Sequence, residues 1–206
     1  MQLQAVIFDL GRVLVNVDFS RGLFPLLLQR EQSDEAPGTR LAREELFSAF
    51  GTGKLTPEQF HQRMCAAFGL DLPFVEFVRQ WCDVFSPMPG MDGLLAEVAA
   101  CLPIGLLSDT DPLHWGFCLE NYASLRHIPK PTLSFRTGVL KPDPRAYRAA
   151  AADVGAPPEG CLFVDVIAAN VEGARAIGMR AEVFTGADAL RRTLVAILPL
   201  QPGQPI

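Results

Sequence analysis

Four residues spread along this chain could do covalent chemistry together: Asp9, Ser108, Lys141 and Asp165. Asp9, Ser108 and Asp165 each close a short apolar run, and Lys141 follows a fourth. A carboxylate can attack as a nucleophile and a second one can help hold a hard cation. A hydroxyl can donate to phosphate, and an ammonium can neutralise charge. That combination suits phosphoryl transfer. Singly, each residue has a plainer reading. Asp9 and Asp165 read as turn or cap residues, Ser108 as a turn hydroxyl, and Lys141 before Pro142 as a solvated loop lysine. The argument rests on all four meeting, so it depends on the elements that carry them.

The apolar runs Ala5–Phe8, Ile104–Leu107, Thr132–Phe135, Cys161–Val164 and Arg180–Phe184 read as strands. Most lack polar alternation, as expected where both sheet faces are covered. Helical stretches lie between them: Met91–Cys101, a segment capped by Asp143 with Pro144 first and Gly155 as its stop, and Ala168–Gly178. This alternation predicts an α/β fold, a Rossmann-like doubly wound parallel sheet. Right-handed crossovers place the strands in the order third, second, first, fourth, fifth. The C-terminal strand ends then line one crevice, with Asp9 beside Asp165.

The stretch from Asp18 to Ser86 has no convincing strand. Thr56-Pro57-Glu58-Gln59 has the form of a capping box, followed by Phe60, Met64 and Phe68 at four-residue spacing. Phe74, Phe77, Val78, Trp81 and Phe85 then form a helical stripe, and Glu31–Gly38 reads as a polar loop. The expectation is a helical cap, residues 17–86, inserted into a core of residues 1–16 and 87–206. The aromatic stripe is expected to be cap core rather than a substrate wall.

The chain has 206 residues, 49% hydrophobic and 20% charged, with a formal net charge of −5. That excludes a disordered or low-complexity chain and supports one domain with an inserted lobe. Net negative charge gives no pull toward nucleic acid or anionic membranes, so an anionic substrate needs locally placed cations. The apolar N-terminal run stops at Asp9, and the apolar tail Leu194–Leu200 is short and contains Pro199. Neither suits a membrane span or a signal peptide. Cys65, Cys82, Cys101, Cys118 and Cys161 are scattered singly, against a disulfide framework and for a reducing cytoplasm.

Four segments carry a family resemblance: Val6–Leu14 containing Phe8-Asp9-Leu10-Gly11, Leu106-Leu107-Ser108-Asp109, Leu140–Pro144, and Phe163-Val164-Asp165 with Asn170-Val171-Glu172-Gly173-Ala174. In these segments the chain resembles the haloacid dehalogenase superfamily of hydrolases. The helical insert falls where that superfamily has its C1 cap. The first segment is most similar to the branch containing the glucose-1-phosphate phosphatase. The resemblance implies an aspartyl-phosphate formed on Asp9 and then hydrolysed, with a small, sugar-phosphate-like monoester as substrate. It implies Mg²⁺ held by Asp9, the Gly11 carbonyl and Asp165. Ser108, Asp109 and Lys141 would contact the substrate.

Three departures accompany the match. Gly11 stands where many relatives carry an acid, leaving no identified proton donor. Val166 and Ala169 stand where the fourth motif commonly has further acids, which predicts weak Mg²⁺ binding. Asp109 stands where the branch often has Asn. It faces either the metal or the start of the next helix, which it would cap near Pro112. His61 and His114 titrate near neutrality, and a structural hydrogen bond is the expected role of His114. The readings that follow are a phosphatase, a catalytically impaired relative that binds a ligand or partner, and, behind both, a metal-free dehalogenase.

Overall fold

The structure, a computed structural model, describes residues 2–32 and 39–198. Most of the expected polar loop, residues 33–38, and the end of the apolar tail, Pro199 and Leu200, lie outside the described residues. The chain begins with β1 (Ala5–Phe8) and β2 (Val15–Val17). A helical lobe follows: α1 (Phe24–Glu31), α2 (Thr39–Gly51), α3 (Pro57–Phe68) and α4 (Phe74–Cys82). β3 (Phe85–Pro87) leads back to α5 (Met91–Cys101), β4 (Ile104–Ser108) and α6 (Pro112–Asn121). Next come β5 (Pro131–Leu133), the single turn α7 (Ser134–Thr137) and α8 (Pro144–Val154). The chain closes with β6 (Cys161–Asp165), α9 (Ala168–Ala176), β7 (Arg180–Val183) and α10 (Ala187–Val195).

Five strands form a parallel sheet in the order β5-β4-β1-β6-β7, the expected arrangement. Alternate residues of β1 explain its lack of polar positions. Val6 and Phe8 pack on one face with Met91, Leu94 and Leu190 from α5 and α10. Ala5 and Ile7 pack on the other with Tyr147, Ala150 and Val171 from α8 and α9. Both faces are therefore covered by helices, as a parallel sheet requires. Phe8 pairs with Leu106 and with Val164, so the next residue, Asp9, stands level with Leu107 and Asp165.

The helix signals hold locally. Thr56 and Gln59 form the reciprocal capping box at α3, Gly69 ends that helix in the left-handed conformation, and Phe60, Met64 and Phe68 face the lobe interior. Asp143 caps α8 by accepting from the Arg145 N–H, and Gly155 ends it. All five cysteines are free thiols. No helix among the described residues is long and apolar enough to cross a membrane.

Three expectations are corrected. Phe85 is not on the helical stripe of α4 but on β3, which pairs antiparallel with β2 at the two ends of the insert. Three-residue strands are too short for periodicity to announce. The third strand of the sheet is shorter than expected and turns at Ser134 into α7, because the Ser134 hydroxyl bonds the Thr110 N–H and carbonyl. Asp109 does not cap α6. Asp111 does, accepting from the Leu113 and His114 N–H groups at 2.9 Å.

Gly173 ties the fold to the crevice. A Cβ there would lie 2.7 Å from the Tyr147 hydroxyl and 2.8 Å from Pro142 Cβ, next to Lys141. Gly173→Ala should therefore lower stability by about 1–3 kcal/mol through overpacking, despite its better helix propensity, as read by chemical denaturation. An unchanged or raised stability would show that α9 yields at this contact.

Candidate active site

Lys141 is the centre of the crevice. Its Nζ donates to Asp9 Oδ1 at 2.6 Å, to Asp165 Oδ2 at 2.9 Å and to the Leu107 carbonyl at 3.2 Å. These three acceptors are the level positions of β1, β6 and β4, so the sheet register builds the cradle. Nζ also lies 5.6 Å above the centre of the Phe163 ring. The lysine backbone is pinned as well: its N–H donates to both Asp109 oxygens, at 3.0 and 3.2 Å. Burial opposes the ammonium charge, but Asp9, Asp165 and Asp109 together hold it above the usual lysine range.

Asp9 opens onto the crevice. It lines a cavity of about 200 Å³ with Gly11, Ser108, Asp109, Lys141 and Asn170. Burial pushes its carboxyl up from 3.8 to about 6, Lys141 pulls the other way, and Asp165 adds a further upward push. Asp165 is different. It is 0% exposed and does not line the cavity. Its Oδ1 accepts from the Ile167 N–H, and its Oδ2 accepts from both Lys141 and the Asn170 side-chain amide. Val166 packs against the apolar core rather than toward the crevice, and Ile167 takes the place on the cavity wall. Ala169 is exposed.

The crevice thus brings Asp9, Gly11, Ser108, Asp109 and Lys141 onto one wall and leaves Asp165 behind it. Mg²⁺ prefers several oxygen ligands in near-octahedral geometry. Of the three ligands implied by resemblance, only Asp9 and Gly11 line the cavity. Among the described residues no group of three or more His, Cys, Asp or Glu is placed to hold a metal ion.

Three further residues shape the site. Arg12 lines the cavity and has no ion-pair partner among the described residues. Its φ of 61° puts a non-glycine residue in the left-handed region, where such strain is uncommon and concentrates at functional sites. A basic residue in the tight turn after Asp9 was the available signal. Asn170 sits in the fourth motif, and its amide orients Asp165. Asp111 joins cap to core: its Oδ2 accepts from Trp81 Nε1 at 3.2 Å and faces His114 Nδ1 at 2.9 Å. His114 Nε2 meets the Trp81 carbonyl at 2.9 Å. Acceptors at both ring nitrogens favour the charged form of His114, and the ring stacks flat on Trp81 at 4.8 Å. Burial disfavours that charge, but Asp111 and the Trp81 carbonyl outweigh it and raise the pKa.

Fold and crevice together define a hydrolase built on an aspartate at the end of a parallel strand, with a lysine neutralising it and a helical lobe above. The chain belongs to the haloacid dehalogenase-like hydrolases, whose family model matches residues 3–178. A phosphatase of Mycobacterium tuberculosis (strain CDC 1551 / Oshkosh), MT3486, is 43% identical over 81 residues. That match covers 39% of this chain and only 37% of the relative's length. Among solved structures, a haloacid dehalogenase-family enzyme from Bacteroides thetaiotaomicron superimposes with a TM-score of 0.83 at 20% identity, over 94% of this chain and 99% of that one. Its complex with magnesium and inorganic phosphate superimposes at 0.77 and 22% identity, over 89% and 95%. An L-2-haloacid dehalogenase from Xanthobacter autotrophicus, with chloropropionic acid covalently bound, gives 0.60 at 20% identity, over 95% and 83%. At these identities the structural likeness is one of fold.

The raised carboxyl of Asp9 has a measurable consequence. An acid whose pKa is higher in the folded state stabilises the fold while protonated and loses that contribution as it ionises. In metal-free buffer, Asp9→Asn should gain stability over the wild type as pH climbs from about 4 to above 6, by roughly 2–3 kcal/mol at the plateau. Denaturation curves across that range provide the check. A constant gap would mean that Lys141 compensates the buried charge fully.

Proposed function

We propose that this protein is a phosphatase acting on a small phosphate monoester, with Asp9 as nucleophile. The observation that carries the reading is the Lys141 ammonium 2.6 Å from Asp9, a carboxylate that lines the crevice together with Ser108. A carboxylate oxygen of Asp9 attacks phosphorus, the ester P–O bond breaks, and the leaving oxygen departs with the bonding electrons as its anion, which takes a proton from water to become the alcohol. Water then attacks the phosphorus of the aspartyl-phosphate, returning Asp9 and releasing phosphate. Ser108 donates to a phosphoryl oxygen, and Lys141 offsets charge on both partners. The helical lobe closes over the crevice and excludes water.

Asp9, Asp109 and Asp165 outnumber Lys141 and Arg12, so a phosphate dianion meets a site that is already net negative. Mg²⁺, present in the relative's phosphate complex, would supply the missing positive charge, held by Asp9 and the Gly11 carbonyl. With Asp165 occupied by Lys141, Asn170 and a backbone N–H, that binding is weak. The 43% identity to a phosphatase over part of the chain supports the phosphoryl chemistry.

One observation favours a second reading. The engagement of Asp165 away from the crevice suits a hydrolysis at carbon that needs no metal, and one fold neighbour is a dehalogenase with chloropropionic acid covalently bound. A single set of assays separates the two. Phosphate release from a monoester panel should rise with Mg²⁺ and saturate only at high concentration. Asp9→Asn should lower turnover by at least about 10³-fold, since Asp109, the other carboxylate on the wall, is turned to the Lys141 N–H. Chloride release from 2-chloropropionate in the presence of a chelator, without phosphate release, would overturn the phosphatase reading. Inactivity toward both would leave a binding protein.

A further inference from the structure

We infer, resting on the phosphatase reading, that the substrate is an aryl phosphate, a phosphoryl group carried on an aromatic alcohol, rather than a sugar phosphate. Two independent observations lead there, one from shape and one from proton chemistry.

The first is a second cavity of about 410 Å³ under the helical lobe. Phe24, Phe47, Phe50, Trp81 and Leu140 line it, and it shares Phe19, Asp109, Thr110 and His114 with the cavity that holds Asp9. The two spaces are thus parts of one path. Phe19 is 48% exposed although its ring lies 4.5 Å from that of Phe24, so an apolar face is left open where the spaces meet. An apolar cavity of about 150 Å³ already accepts benzene, so this chamber has room for a substituted or fused ring. Its aromatic walls present both faces and edges: Phe24 stacks on Trp81 at 5.3 Å, and Phe47 meets Trp81 edge-on at 5.1 Å.

The chamber offers few hydrogen bonds to a polyol. The Asp111 carboxylate is occupied by two backbone N–H groups, Trp81 and His114. Asp109 is occupied by the Lys141 N–H, and the Thr110 backbone by Ser134. What remains is the spare acceptor capacity of Asp109 and the hydroxyls of Ser48 and Thr110. Most sugar hydroxyls carried into this space would leave water without equivalent partners, which disfavours a polyol there.

The second observation is the lack of an available proton donor. Gly11 provides no side chain, the Arg12 guanidinium does not release its proton, and Asp109, His114 and Lys141 on the same wall already hold partners. An aliphatic alcohol leaving as alkoxide depends on general acid help worth about 10²–10⁴ in rate. A phenol, with a pKa near that of tyrosine at about 10, leaves as its anion without it. The chamber and the missing acid therefore select the same class of leaving group.

Binding tests the chamber without relying on turnover. Calorimetry with 2-naphthylphosphonate and methylphosphonate, both non-hydrolysable, should show the naphthyl compound binding at least about tenfold tighter to the wild type. Phe47→Ala should remove about tenfold of that preference. Phe19→Ser, at an exposed position where folding is not at stake, should reduce it in the same direction. Turnover tests the second half. Across substituted phenyl phosphates, kcat/KM should rise steeply as the leaving phenol becomes more acidic, and 2-naphthyl phosphate should outpace 2-naphthylmethyl phosphate. Equal affinity for the two phosphonates, or a preference untouched by both variants, overturns the inference even if monoesters are hydrolysed. A retained naphthyl preference without hydrolysis of any ester would overturn the phosphatase reading on which the inference rests and leave only an aryl-binding chamber.

Discussion

One buried ammonium organises this protein's working end. Lys141 sits between two carboxylates and a carbonyl that belong to three different strands, and it would be untenable there without them. Removing a charge from water costs several kcal/mol, and only close, well-directed partners offset it. The sheet supplies those partners through register, since pairing of Phe8 with Leu106 and Val164 sets Asp9, Leu107 and Asp165 at one level. Pro144 and the Asp143 cap start α8 just beyond, and Asp109 fixes the lysine backbone from the β4 side. The glycine at 173 lets α9 approach closely enough for this loop to pass. Strand order, helix start and close helix packing therefore serve a single side chain.

That arrangement divides the labour between the carboxylates. Asp165 is enclosed and saturated with donors, so it acts as the fixed counter-charge of Lys141. Asp9 keeps access to the crevice, and burial leaves its charge imperfectly compensated. An imperfectly stabilised carboxylate is more reactive than a fully solvated or fully bonded one, which is the property a nucleophile needs. The same engagement leaves both oxygens of Asp165 bonded to donors within the protein.

The lobe above the crevice is joined to the core by charge as well as by packing. Asp111 caps α6 in the core while gripping Trp81 of α4, and His114 returns from α6 to the Trp81 carbonyl. Trp81 is in turn sandwiched between His114 and Phe24. The aromatic stripe therefore has two faces of use: Phe60 and Phe77 form the lobe interior, and Phe24, Phe47 and Trp81 wall the chamber that opens toward Asp9.

Much of this was legible from residue order, because it depends on short-range rules. Apolar runs marked the five core strands, and Thr56, Asp143 and Gly155 marked helix ends through bonds to their own neighbours. Crossover handedness then ordered the strands, so the meeting of Asp9 with Asp165 at Lys141 followed. What residue order did not reveal depends on contacts between distant segments. Asp109 and Asp111 have the same side chain two residues apart, yet one holds the Lys141 backbone and the other caps α6 and binds Trp81. Val166 and Ile167 are both apolar, and only the path of the chain after β6 sends one into the core and the other to the crevice. The β2–β3 ribbon arises from pairing across the whole insert, and the chamber from helices whose separate stripes are each ordinary. Local chemistry names the residues, but partners brought together over tens of positions decide which of their atoms remain free to act.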